Sequence, residues 1–222
     1  KNKIFVACDS TSISKINEII KKTQSPRIKF GYKFGLEFLN SKNGRKFIAK
    51  LKHKTVFGDL KLHDIPNTCA SAIKALKDLK LNYLTVHISS DLETLKACKK
   101  VSGKTKLVGV TILTSLDNKA LKKIGFNNEI KKIVLAQAKL ARKARLDAIV
   151  CSAKEVDIVK KIFKKEIITP GIRLNSKIND QKRVLTPRQA YKRGSDWLVI
   201  GRPITKGNIK QNIKLLIDHL SQ

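Results

Sequence analysis

Short β-rich runs alternate with longer amphipathic segments along the whole chain, and this alternation is what most restricts the fold. Runs rich in Val, Ile, Phe and Tyr fall at 4–8, 27–34, 55–61, 83–87, 106–113, 148–151, 166–169 and 197–200. Between them lie segments with apolar residues at helical spacing. The first opens near Ser12, with Ile13, Ile16, Ile19 and Ile20 on one face. Others are expected at 36–52 (broken around Asn43-Gly44), 68–79, 91–100 with Asp91 as cap, 129–144, 153–163, 187–192 and 204–220. Eight strands each followed by a helix, with no linker and no repeat, predict an α/β chain folded as a single (β/α)8 TIM barrel over 1–222. An open doubly wound sheet shares the same periodicity.

With 222 residues and 41% hydrophobic content, the chain has enough apolar material for one large core, which excludes intrinsic disorder. No apolar stretch reaches the roughly 20 residues of a membrane span. The N-terminal run 4–8 is too short for the core of a signal peptide and reads as a strand. The chain holds no Met, as expected if the initiator is removed or precedes the first residue. Cys8, Cys69, Cys98 and Cys151 are scattered too widely for a zinc knuckle or a redox dithiol. Neither they nor the four histidines form a metal-ligand pattern, so no metal is expected. Cytoplasm is the default compartment.

Charge suggests a partner and then argues against it. Lys and Arg number 48 against 17 Asp and Glu, a net +31. Such an excess points first to nucleic acid, where neutralised phosphates give affinity by counterion release. Yet pairs such as Lys21-Lys22, Lys99-Lys100, Lys131-Lys132 and Lys164-Lys165 are spread over many helices. There is no basic tail and no aromatic-basic interleaving. The charge reads as diffuse, a solvated surface that steers anionic substrates rather than a specific nucleic-acid site.

The sharpest local pattern is Asp59-Leu60-Lys61-Leu62-His63-Asp64-Ile65-Pro66-Asn67-Thr68 at the end of the third strand. Strand alternation places Asp59 and Lys61 on one face. In a barrel that face opens at the C-terminal mouth, where active sites are built. An ordinary strand-end ion pair needs one acid, whereas here Asp59 and Asp64 flank one lysine in a chain poor in acids. After the eighth strand, Gly201 allows close backbone approach and Arg202 can clamp a phosphate bidentately. The long polar connection 171–186 carries Arg173 and Gln181, and unstructured loops of that length commonly bind or cover ligands.

The Asp-x-Lys-x-x-Asp-Ile-Pro-Asn-Thr run resembles the bacterial form of the orotidine 5′-phosphate decarboxylase family. Further pieces match in order: Val6–Asp9, Lys33–Phe38, Val110–Ser115, Thr169–Arg173 with Asp180–Arg183, and Val199–Thr205. The matches span nearly the whole chain. Departures fall at Cys8, at Gly58 and after the fourth strand, where His87-Ile88-Ser89-Ser90-Asp91 replaces a glycine-rich run.

The resemblance implies cofactor-free decarboxylation of orotidine 5′-phosphate to UMP, the last step of pyrimidine nucleotide synthesis. It implies Lys61 as general acid, with Asp59, Lys33 and Asp64 completing a charge array. Asp9 would bind ribose, Thr114 the pyrimidine, and Arg202, Gly201, Gln181 and Arg173 the phosphate side. It further implies a homodimer in which Asp64, Ile65 and Thr68 reach the neighbouring active site. The nearest alternative is the 3-keto-gulonate-phosphate decarboxylase and hexulose-phosphate synthase group, which shares Asp-x-Lys-x-x-Asp, uses a divalent metal and lacks Ile-Pro-Asn-Thr.

Overall fold

A computed structural model describes residues 2–174 and 185–221. Eight parallel strands close into a barrel in sequence order: β1 (Asn2–Ala7), β2 (Ile28–Gly35), β3 (Thr55–Leu62), β4 (Tyr83–His87), β5 (Lys106–Val110), β6 (Ala148–Val150), β7 (Glu166–Thr169) and β8 (Trp197–Ile200). The helices are α1 (Ile13–Lys22), α2 (Leu36–Leu39), α3 (Gly44–Ala49), α4 (Pro66–Ala75), α5 (Leu92–Val101), α6 (Asn118–Lys123), α7 (Ile130–Lys143), α8 (Val156–Ile162), α9 (Pro187–Lys192), α10 (Arg202–Thr205) and α11 (Ile209–Ser221). The open-sheet alternative is excluded by the pairing of β8 with β1, Ile4 opposite Leu198. Among the described residues, no helix is long and apolar enough to cross a membrane.

Local chemistry explains most boundaries. The Ser12 hydroxyl accepts from the Lys15 N–H and starts α1, which buries Ile16, Ile19 and Ile20. Each of those side chains contributes about 2 kcal/mol of apolar burial. The Asp91 carboxylate caps α5 through the Thr94 N–H, as expected, and Thr186 with Gln189 forms a capping box on α9.

Four expectations need correction. The helix expected at 68–79 begins at Pro66, because proline suits the first helical position, and it ends in a short 3-10 turn at Lys77–Leu79. The fifth strand stops at Val110 rather than 113. Within the connection that follows, Asp117 caps an additional helix, α6, between the elements expected at 106–113 and 129–144. The closing helix expected at 204–220 is two helices, broken at Gly207, whose φ is +75°.

Two apolar cores result. The larger packs the helices against the outer faces of the strands. The smaller fills the barrel with Phe5, Phe57, Tyr83, Val108, Ala148, Ile168 and Trp197. Phe5 stacks on Trp197 with ring centroids 4.1 Å apart. Its ring fits only because β2 has Gly31 beside it; a Cβ there would lie 2.6 Å from the ring.

Folding leaves 24 Lys or Arg spread over the helices, in keeping with the diffuse reading, but gathers others at one end. Among the described residues, the seven turns that lead from a helix into β2–β8 hold eleven Lys or Arg and three acids. Among the described residues, the segments that leave the strands hold two Lys or Arg and five acids. The N-terminal pole of the barrel is therefore strongly basic.

Candidate active site

The mouth is organised around one carboxylate. Asp59 on β3 is 14% exposed and lies between two ammonium groups, Lys61 Nζ at 2.9 Å and Lys33 Nζ at 3.3 Å from the same oxygen, Oδ2. Lys33, from β2, also lies 3.5 Å from Asp9 Oδ1, just past the end of β1. The other oxygen of Asp59, Oδ1, accepts from the Thr85 hydroxyl of β4 at 3.2 Å. The set thus runs Asp9, Lys33, Asp59, Lys61 across three adjacent strands, alternating in sign.

Burial by itself would push the Asp59 carboxyl up. The attraction of Lys33 and Lys61 outweighs it and holds the group below its ordinary value of 3.8. For Lys33, burial acts downward, yet Asp59 and then Asp9 raise the ammonium above 10.5. Asp59 and Lys33 are therefore both ionised throughout the neutral range. Cys8, adjacent to the array, is pushed by burial to about 12 and stays a thiol.

Simple alternation along a strand does not bring Asp59 and Lys61 together. Between Gly58 and Leu62, β3 loses register with β4, so that four steps on β3 match two on β4, from Leu84 to Val86. The irregularity centres on Lys61, whose φ is +50°. A left-handed conformation costs a non-glycine residue about 1–2 kcal/mol. The Lys61 N–H leaves the sheet ladder and donates to Thr85 Oγ1 at 2.7 Å. One threonine therefore fixes both the Lys61 backbone and the Asp59 carboxylate. Thr85 was missed in the sequence. The clue was its position in 83–87, where alternate residues face inward and a buried hydroxyl needs partners.

A cavity of about 590 Å³ opens above this floor. Its wall includes Asp9, Lys33, Asp59, Lys61, Thr114, Arg173, Gly201 and Arg202, eight of the residues singled out from the sequence. Gly201 stands beside β1, where a Cβ would lie 3.4 Å from that of Ala7 and 3.9 Å from Asp9 Oδ2. Three further candidates are not in the wall. Asp64, Ile65 and Thr68 follow β3 on the outer surface, with Ile65 66% exposed and the Asp64 carboxylate accepting from the Ile65 N–H at 2.7 Å. Gln181 lies outside the described residues.

A family model described as "Orotidine 5'-phosphate decarboxylase / HUMPS family" matches residues 2–213. The chain belongs to that family. It is 44% identical to orotidine 5′-phosphate decarboxylase of Wolbachia sp. subsp. Brugia malayi, covering 97% of each chain. It is 40% identical to the Carboxydothermus hydrogenoformans protein of the same name, over 91% of this chain and 88% of that one. The crystal structure of orotidine 5′-phosphate decarboxylase from Lactobacillus acidophilus matches with a TM-score of 0.84 and 30% identity, with both chains fully covered. These relatives are named as decarboxylases and match at nearly full length, so the chain is an enzyme of this family.

Within the family frame, two histidines that border the array stand out. His63 and His87 have ring centroids 5.1 Å apart. Burial, and then the proximity of His63 and Lys61, lower His87 below 6.5, so at neutral pH it is an uncharged wall. Among the described residues, no three His, Cys, Asp or Glu gather as a metal-binding set.

Proposed function

We propose that this chain decarboxylates orotidine 5′-phosphate to UMP without a cofactor. The observation that carries the reading is the Asp59 carboxylate held between the Lys33 and Lys61 ammonium groups on the floor of the cavity. The reaction breaks the bond between C6 and the carboxylate carbon, leaving the electron pair on C6 with no conjugated sink. Stabilisation must then come from fixed charge. Lys61 places a cation at the developing carbanion and transfers a proton from Nζ to C6, after which the neutral amine takes a proton from solvent. Asp59 lies beside the substrate carboxylate and raises its energy in the ground state, a disadvantage that disappears as CO₂ departs. It also holds the Lys61 ammonium in place, with Nζ at 2.9 Å.

Lys33 anchors Asp59 from the far side and reaches Asp9, whose remaining oxygen is available to a ribose hydroxyl. Thr114 flanks the base. Arg202, with Gly201 beside it, binds the phosphate, and Arg173 faces the same cavity. Binding energy from the phosphate, remote from C6, is used to orient the base. Asp64, Ile65 and Thr68 serve the neighbouring active site of a homodimer, consistent with the exposure of Ile65 at the surface. The family description covers two branches; the named relatives and the Ile65–Thr68 continuation favour this one.

The decisive assay follows the absorbance of orotidine 5′-phosphate with and without EDTA. Full turnover in EDTA is expected, and a strict requirement for Mg²⁺ would overturn the reading. Lys61→Ala is expected to lower kcat by about 10⁴-fold or more, since it removes both proton donor and charge. Near-normal turnover would refute its role.

A further inference from the structure

We propose that the basic N-terminal pole of the barrel, opposite the active site, docks on the phosphate backbone of double-stranded nucleic acid without reading its sequence. All eleven cations of the strand-entry turns are exposed, and Lys29 and Lys106 at the strand starts add two more. The densest run is Lys50-Leu51-Lys52-His53-Lys54 before β3. The three acids in these turns do little to offset the excess, because each is bound by a cation from outside them: Asp78 by Arg45 at 2.8 Å, Asp196 by Lys160 at 2.6 Å, and Asp147 by Lys99. Glu166 is occupied by Lys106 at 2.8 Å. A cleft of about 390 Å³ is set into this surface; its walls carry Lys106, Lys160, Lys164 and Lys165 together with the ion-paired Asp147, Glu166 and Asp196.

A bland explanation exists, since cations at helix C-termini complement the helix dipole. That effect fades within the last turn, and Lys3, Lys29, Lys54 and Lys106 belong to no helix end. The occupant follows from what the pole lacks. Tyr83, Phe163 and Trp197 are buried, and His53 is the one exposed ring in the strand-entry turns, so a run of bases has no platform to stack on. Lysine predominates over arginine, giving point charges rather than bidentate recognition. A surface that offers positive charge alone favours the ligand of highest phosphate density, a duplex, with about one charge per 1.7 Å of axis. There are no exposed apolar side chains among the strand-entry turns to insert into a bilayer.

The test is fluorescence anisotropy with a labelled 20-base-pair duplex, its single strand, and phosphatidylserine vesicles, alongside turnover of orotidine 5′-phosphate. The duplex is expected to bind most tightly. Its affinity should fall by roughly 10²–10³-fold between 50 and 200 mM salt, as about five neutralised phosphates require. Lys52→Glu, Lys54→Glu, Lys104→Glu and Lys164→Glu together should abolish binding and leave kcat unchanged. Lys119→Glu, Lys122→Glu, Lys131→Glu and Lys132→Glu, an equal charge change on α6 and α7, should weaken it only a few-fold. Equal losses from the two sets would mean that net charge alone acts, and would overturn the proposal. So would tighter binding to vesicles, or no duplex binding at 50 mM salt. Because turnover is read separately, failure here leaves the catalytic reading intact, and the reverse holds too.

Discussion

The barrel contains two inward-facing acids clasped by lysines, one at each end, and only one of the two lines the large cavity. At the mouth, Asp59 contacts Lys33 and Lys61. At the opposite end, Glu166 contacts Lys106 at 2.8 Å and accepts from the Tyr83 hydroxyl at 3.0 Å, with Lys3 at 3.9 Å. The ingredients are alike, but the settings differ. Lys33 is 12% exposed, whereas Lys106 is 47% exposed and largely solvated. The mouth array borders a large cavity and includes a lysine with left-handed backbone, while the lower one lies beneath the aromatic layer of Phe5, Phe57, Tyr83 and Trp197. At the mouth Lys61 is 35% exposed beside the buried Lys33, so what sets the pair apart is one desolvated cation, a second that faces the cavity, and room for a third charge. Without these, an ion pair closes the end of a barrel.

The contrast is tested most severely by removing each acid. Asp59→Asn leaves Lys33 with Asp9 alone and two ammonium groups facing one another; a loss of about 3 kcal/mol in urea unfolding is expected, together with loss of turnover. Thr85→Val should cost about 1–2 kcal/mol, because it orphans the Lys61 N–H and one Asp59 oxygen, and should lower kcat while Tyr83 and Glu166 are undisturbed. Glu166→Gln should cost under about 1 kcal/mol, in keeping with a solvated pair, with kcat within about threefold of wild type. If Glu166→Gln proved as damaging as Asp59→Asn, desolvation would not be what separates the two ends.

A pH series sharpens the same point. Asp59 is held below its ordinary value, so its stabilisation is complete above that value and is lost as pH falls through the lower folded one. Lys33 is raised, so its share is complete below 10.5 and is lost as pH rises through the higher folded value. The gap in Tm between wild type and Asp59→Asn is therefore expected to stay constant from about pH 5 to 10 and to shrink beyond either limit. A gap already shrinking at pH 7 would show that the Asp59–Lys33 pair is not ionised there.

Much of this was legible in the sequence. All eight strands were, because each is a short β-branched or aromatic run punctuated by a helix start such as Ser12, Asp91 or Thr186. Eight cavity residues were found because their chemistry sits at strand ends. What escaped depended on neighbours. Strict alternation gave Asp59 and Lys61 the right proximity for an incomplete reason, since the left-handed turn at Lys61 is supported by Thr85, which is 24 residues away in sequence. The helix α6 was hidden because Asn118–Lys123 is short and polar, with only Leu121 buried. Lysines scattered along a sequence looked evenly spread until the barrel gathered every strand entry at one end.

The aromatic layer between the two acids has an optical consequence. The chain has one tryptophan, and Trp197 is in that layer, 98% hidden from solvent, stacked on Phe5 and within 5.8 and 6.0 Å of the Lys3 and Lys29 ammonium groups. The protein thus carries its own single-site fluorophore in the barrel floor. Its emission would register a disturbance of the lysines beneath it, and separate events at the two ends of the barrel without any attached dye.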